Sequence, residues 1–285
     1  MLGEAADEGN HDRACRVRPP PRPGRGGSRV IPALACAAGL LGLVAGSFLN
    51  MVADRVPAGQ PVMPPRVGCP ACGRRARVGD RLPVLSWLLR RGRCGDCGAV
   101  VSVRDPVVEV LTAAAFAGLV FLLGASWALP GYWWAAGAAI ALTLTDLDHR
   151  RIPDRILVPG IIGAGVLLAA GALLEGDPWA ITRALAGGSA YFGLLLVVAL
   201  AARGGFGFGD VKLGFLLGVV LAYRSWGTLA VGAFAAFALG GLAAVILLIA
   251  RRVGRKDAIP FGPAMVAGAA LALACGELIV RWYLG

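Results

Sequence analysis

Two aspartates and four cysteines carry most of the chemistry this sequence can offer. Asp146 closes an apolar run, in Leu144-Thr145-Asp146-Leu147-Asp148-His149-Arg150-Arg151-Ile152-Pro153-Asp154. Asp210 opens another, in Gly207-Phe208-Gly209-Asp210-Val211-Lys212-Leu213. A carboxylate at membrane depth costs about 2.5–3.5 kcal/mol, so each needs a partner or a task. Two carboxylates brought close together cannot easily both ionise, and they share a proton. One can then activate water while the other protonates a carbonyl oxygen. Plainer readings stand beside this one. Asp210 can be the N-cap of the segment it opens, and Asp146 can mark a helix end beside Arg150 and Arg151. The pair can also be the proton or ion site of a transporter or channel, although no clear internal repeat of the kind transporters often carry is seen.

The cysteines occur as Cys69-Pro70-Ala71-Cys72-Gly73 and Cys94-Gly95-Asp96-Cys97-Gly98. Two Cys-x-x-Cys-Gly knuckles match a four-thiolate zinc site, in which tight turns aim both sulfurs of each pair at one tetrahedral ion. Four thiolates leave no open position for water, so the expected zinc is structural. The alternatives are four free thiols or two disulfides, which a reducing compartment disfavours. Cys15, Cys36 and Cys275 stand alone, and the last two are expected to be small apolar fillers in helices.

Several residues near the aspartates are candidates for supporting roles. Asp148 and Asp154 fall beyond the hydrophobic edge, with Arg150, Arg151 and Arg155 as expected partners. His149 reads as a solvated turn residue. Glu109 opens the second apolar segment after Arg104-Asp105-Pro106 and either favours that helix N-terminus or touches the site. Lys212, Gly207 and Gly209 flank Asp210, at the end of a glycine-rich approach. Pro153 and Pro159 are expected to break the start of the segment that follows Asp146. Irregular backbone at membrane depth is tolerated where it lines a wet cavity.

The elements that must hold these residues are apolar. The chain is 57% hydrophobic and 16% charged, against about 25% charged in soluble domains, and its mean hydropathy is +0.70. This composition predicts an all-α polytopic integral membrane protein, with the lipid bilayer as its main partner. Apolar segments lie near 31–53, 107–129, 131–147, 155–175, 181–202, 210–223, 226–250 and 262–284, which gives about eight transmembrane helices. Many are rich in Gly and Ala, which suits close packing in lipid. The formal charge is +11. Because most basic residues flank apolar segments, nucleic-acid binding is the weaker reading and no nucleic-acid partner is expected.

Alternation of eight spans puts 19 of the Lys and Arg residues on one side and 9 on the other. Ten of the 19 lie in the polar insertion 54–106. The positive-inside rule then places that insertion in the cytoplasm and both termini outside. Residues 1–30 are Arg- and Pro-rich, lack apolar periodicity and read as disordered. Their six Arg are discordant with an outside N-terminus, and a translation start near Val30 is one explanation. The first apolar run is too long for a signal peptide, and the basic loop after it argues for a retained helix.

These motifs, in this order, resemble the bacterial type IV prepilin peptidases, leader peptidase/N-methyltransferases of the Gly-x-Gly-Asp aspartic protease class. The resemblance covers about 31–285. It includes Gly46-Ser47-Phe48-Leu49-Asn50, the four-cysteine loop with Leu82-Pro83-Val84-Leu85-Ser86-Trp87, both aspartate motifs, and Ile259-Pro260-Phe261-Gly262-Pro263. It departs at Ala53-Asp54-Arg55, where many members carry an aromatic before the Arg. The resemblance implies that Asp146 and Asp210 are the catalytic pair and that Cys69, Cys72, Cys94 and Cys97 bind zinc. It implies cleavage of short basic leaders from prepilins and pseudopilins at the cytoplasmic face of the bacterial inner membrane. It further implies N-methylation of the new N-terminus with S-adenosylmethionine, with Gly46, Asn50 and Arg55 associated with that second activity. The domain division expected is a tail (1–30), a first helix plus cytoplasmic zinc-binding and methyltransferase-type region (31–106), and a membrane peptidase core (107–285). A non-catalytic scaffold would keep the cysteine loop without needing both aspartates.

Overall fold

The computed structural model describes residues 27–61, 71–72, 83–100, 102–201, 207–250 and 260–284. The polar tail at 1–26 lies outside them, as do Cys15 and Cys69. Among the described residues the fold is all-helical: α1 Gly27–Arg55, α2 Pro83–Leu89, α3 Arg104–Leu123, α4 Leu129–His149, α5 Asp154–Glu175, α6 Trp179–Ala201, α7 Phe208–Arg224, α8 Trp226–Ile249 and α9 Gly262–Leu284.

Eight of these follow the expected apolar segments, and α2 is an addition within the polar insertion. Two boundaries depart from expectation. The second segment stops at Leu123 rather than near 129, because Gly124 turns the chain at φ 68°, a conformation glycine adopts freely. The largely apolar stretch Ala125-Ser126-Trp127-Ala128 hid that break. Pro159 does not break α5, which starts directly after Pro153 and runs through Pro159 to Glu175. A proline there removes one backbone donor. The nearby Pro159 carbonyl accepts a hydrogen bond from Trp134 Nε1 at 3.1 Å.

Helices α1, α3, α5, α6, α8 and α9 are each long and apolar enough to cross a membrane, which makes this a multi-pass membrane protein. Neither aspartate-bearing helix belongs to that group, and packing explains why. α7 is 17 residues long, about 26 Å at 1.5 Å per residue. Eleven of its residues are buried, against five of 24 in α8. α7 packs against α4, α5, α6, α8 and α9, and α4 against α1, α3, α5, α7 and α9. An inner helix needs less lipid-facing surface, so it can be shorter and more polar. Leu142, Leu157, Leu195, Leu213, Leu216 and Met265 fill the space between them. Outward faces carry Leu40, Val44, Val166, Phe234 and Ile249. Cys36 and Cys275 are also exposed on outward faces rather than packed as fillers.

Polar contacts gather in two layers, one at each end of the bundle. At one end Arg104 pairs with Asp54 at 3.4 Å and with Asp148, and Lys212 pairs with Asp154 at 2.8 Å. At the other, Glu175 accepts from Ser126 Oγ at 2.6 Å and Trp127 N at 2.8 Å. There Arg183 donates to the Ala222 and Tyr223 carbonyls that end α7, and Arg224 pairs with Glu277 at 2.7 Å.

Candidate active site

Asp146 occupies the last turn of α4 and is 5% exposed. A carboxylate near a helix C-terminus faces unfavourable partial charge. Here it is offset by the opposite end of another helix. The backbone N–H of Gly262, first residue of α9, donates to Asp146 Oδ2 at 3.1 Å. A methyl group at 262 would lie 2.7 Å from that oxygen, closer than real side-chain contacts permit.

Asp210 sits in the first turn of α7, where negative charge is favoured. It is not the N-cap. The helix starts at Phe208 after Gly207, and the Asp210 amide donates to the Gly207 carbonyl at 3.0 Å. Asp210 Oδ1 is buried and accepts no hydrogen bond. A buried carboxylate oxygen left without a donor costs free energy.

That cavity, about 910 Å³, holds both aspartates in its wall. His149, Arg150, Arg151 and Arg155 also line it, and all four are exposed. Arg150 ends α4 in the left-handed conformation, φ 51°, with its amide on the Asp146 carbonyl. Such a conformation at a non-glycine residue costs about 1–3 kcal/mol. It turns the chain sharply towards Pro153, so the Asp146 end of α4 stays open to the cavity.

The flanking acids differ from expectation. Asp148 pairs with Arg104 at the start of α3, and Asp154 accepts from Lys212 Nζ with both oxygens at 2.8 Å. The neighbouring arginines do not fill these roles. Residues one or two apart on a helix do not face each other. Gly209 packs against Ile152, whose Cβ would lie 2.8 Å from a methyl group added there. Glu109 is 1% exposed and lies away from the aspartate cavity. Its Oε2 accepts from the Val84 amide of α2 at 3.0 Å, so it fastens α2 to α3. Gly46 lets α1 approach α3, since a methyl group would fall 2.6 Å from Glu109 Cα. Asn50 is buried and donates to the Asp105 carbonyl at 3.2 Å.

The Sγ atoms of Cys72, Cys94 and Cys97 all lie within 4.8 Å of one another. Thiolates about 2.3 Å from one tetrahedral ion stand about 3.8 Å apart, so this trio can hold a metal. The second knuckle forms as a tight turn: the Cys94 amide donates to Ala99 O at 2.8 Å, and the Gly98 amide to Cys94 O at 3.0 Å. Gly98 adopts φ 70°, which is the reason a glycine follows the second cysteine.

Gly262 and Ile152 are the residues whose roles the sequence did not disclose. Both lay inside quoted motifs, but their contacts cross between distant segments.

Comparison with known proteins gives the same direction. Residues 40–123 match the Bacterial Peptidase A24 N-terminal domain, and residues 133–249 match the Type IV leader peptidase family. Relatives named prepilin leader peptidase/N-methyltransferase include one from Bacillus subtilis, 32% identical over 245 residues, covering 86% of this chain and 96% of that one. One from Aeromonas hydrophila is 32% identical over 272 residues (86% and 92%). Another, from Pseudomonas aeruginosa, is 28% identical over 269 residues (86% and 91%). No solved structure matches. A membrane bundle with two acids facing one cavity, and this relatedness along most of its length, make the chain an enzyme, a membrane peptidase belonging to the type IV leader peptidase family.

Proposed function

We propose that this protein is an aspartic endopeptidase that removes leader peptides from type IV prepilins or pseudopilins. The observation that carries this reading is the presence of Asp146 and Asp210, 64 residues apart in sequence, in the wall of one cavity. Asp210, which lines the cavity and whose Oδ1 has no hydrogen-bond donor, is suited to take a proton from water. Asp146, oriented by the Gly262 amide, is suited to its partner's role. In the working state one carboxyl is protonated and one ionised. The ionised oxygen accepts a proton as water attacks the scissile carbonyl, and the other group donates to the carbonyl oxygen. The proton then passes to the leaving amine.

The cavity opens at the end of the bundle that bears Arg55, Arg104, Arg150, Arg151 and Arg155. By the positive-inside rule that end is cytoplasmic, in the inner membrane of a bacterium. Cys72, Cys94 and Cys97, with Cys69 beyond the described residues, would hold a structural zinc that crosslinks the insertion after α1. S-adenosylmethionine, the methyl donor for the second activity, is supported by the names of the relatives. Asn50 Oδ1, Arg55 Nη1 and Glu109 Oε1 are buried without hydrogen-bond partners at the same end of α1 and α3, and would offer polar atoms to such a ligand.

The test is incubation of the purified protein with a prepilin, followed by mass spectrometry. The expected product lacks the leader, and gains one methyl group when S-adenosylmethionine is supplied. Intact prepilin after prolonged incubation would overturn the peptidase reading. Cleaved but unmethylated product at saturating donor would remove the methylation alone.

A further inference from the structure

Two short segments carry the proposed catalytic acids, and two contacts fasten these segments together. Asp146 is tied to the α4–α5 turn, since the Arg150 amide closes on its carbonyl. Asp210 is tied to the first turns of α7. Between these elements, Lys212 Nζ reaches both oxygens of Asp154 at 2.8 Å. The same ammonium lies 5.3 Å from the centre of the Phe208 ring, so it is held from two sides. One turn away, Ile152 sits on Gly209, with no room for a side chain between them. Lys212 follows Asp210 by two residues, and Asp154 follows Asp146 by eight.

We propose that Asp154 and Lys212 are positioning residues, a clamp that, with Ile152 on Gly209, sets the separation of Asp146 and Asp210. The proposal rests on the peptidase reading. An exposed ion pair adds little to stability, about 0–1 kcal/mol. Its value here is geometric. Catalysis depends steeply on placement, and a displacement of about 1 Å can cost about a hundredfold in rate. The like-charge coupling that makes two carboxyls share one proton also falls with distance. Loosening the clamp therefore brings the two titration steps of the pair closer together and narrows the pH range in which one proton is shared.

The charged and titratable groups facing the pair are His149, Arg150, Arg151 and Arg155, besides Asp154 and Lys212. The rest of the wall, from Val56, Pro57 and Gly59 after α1 to Ile152, Pro153, Gly207 and Gly209, does not titrate, and neither does the Gly262 amide that meets Asp146. Replacing Asp154 alone removes negative charge and lowers the pair's titration midpoint. Replacing Lys212 alone raises it. Replacing both leaves net charge unchanged. Long-range electrostatics would thus move the two single variants in opposite directions, whereas a loosened clamp narrows the profile in both.

The test uses the full chain in detergent with a purified prepilin, as wild type, Asp154→Asn, Lys212→Gln and the double variant. Expected are a fall in kcat of about 10- to 100-fold in each, KM within about twofold, and a narrower bell-shaped pH profile in all three. The double variant should be no slower than the worse single one. Wild-type kcat in the single variants, unchanged profile width, or losses that multiply in the double variant would each overturn the clamp. Lys212→Arg, which keeps the pair, should retain most activity, and its failure alongside Lys212→Gln would equally count against the clamp. Amide hydrogen exchange gives a readout independent of cleavage: 150–156 and 208–213 should exchange faster in all three variants. Unchanged exchange overturns the clamp even if the enzyme proves to cut some other substrate, and an inactive wild type with faster-exchanging variants indicts the peptidase reading alone.

Discussion

The amide of Gly262 and the carboxylate of Asp146 meet at 3.1 Å across 116 residues of chain. One helix ends on the acid and another begins on it, so the unfavourable field of the α4 C-terminus is answered by the favourable field of the α9 N-terminus. The contact needs glycine, because a methyl group would lie 2.7 Å from Oδ2.

Gly262→Ala should therefore keep the protein folded and inserted while lowering leader cleavage about 10- to 100-fold, the equivalent of a hydrogen bond to a charged group. Gly241→Ala is the control, since a methyl group at that position meets no atom within 4 Å. Equal cleavage by both variants would show that the contact has no part in the reaction.

Asp146→Asn and Asp210→Asn should each reduce cleavage by about 10³-fold or more, because Asn keeps the shape and cannot exchange the proton. Detergent extraction and melting should be close to wild type. A gel-shift assay of prepilin processing measures the effect. Processing at the normal rate by either variant would remove that residue from the pair.

Metal analysis of the purified protein should find about one zinc per chain. Cys72→Ser or Cys97→Ser should lose it, and limited proteolysis should then cut faster between 54 and 106. Full activity and unchanged proteolysis in metal-free wild type would count against a structural ion.

Reporter fusions address the membrane face. Fusions at 90 and 254 should read cytoplasmic, and fusions at 178 and 285 external. An external signal at 90 would turn the aspartate cavity away from basic cytoplasmic leaders and require another substrate.

Much of this protein is written in local sequence. Apolar runs of membrane length, the charge between them and the two Cys-x-x-Cys-Gly knuckles disclose the class, the helices and the residues able to do chemistry. Each of those signals depends on neighbours within a few turns, and the bilayer imposes helices wherever such runs occur. Even there, a helix end marked only by Gly124 was masked by the apolar residues after it.

What tertiary structure decided is who faces whom. Asp148 chose Arg104, 44 residues away, over the arginines beside it, because adjacent residues at a helix end point apart. Glu109 turned to α2 rather than to the aspartates. The shortness of α7 and the polarity of α4 made sense only once both proved to be inner helices, sheltered from lipid by the others. The sequence names two acids capable of sharing a proton, but the cavity that holds them both, the glycine amide on one and the ion pair beside the other depend on contacts between segments 58 to 116 residues apart. No local pattern encodes such contacts, since they form only when the helices pack.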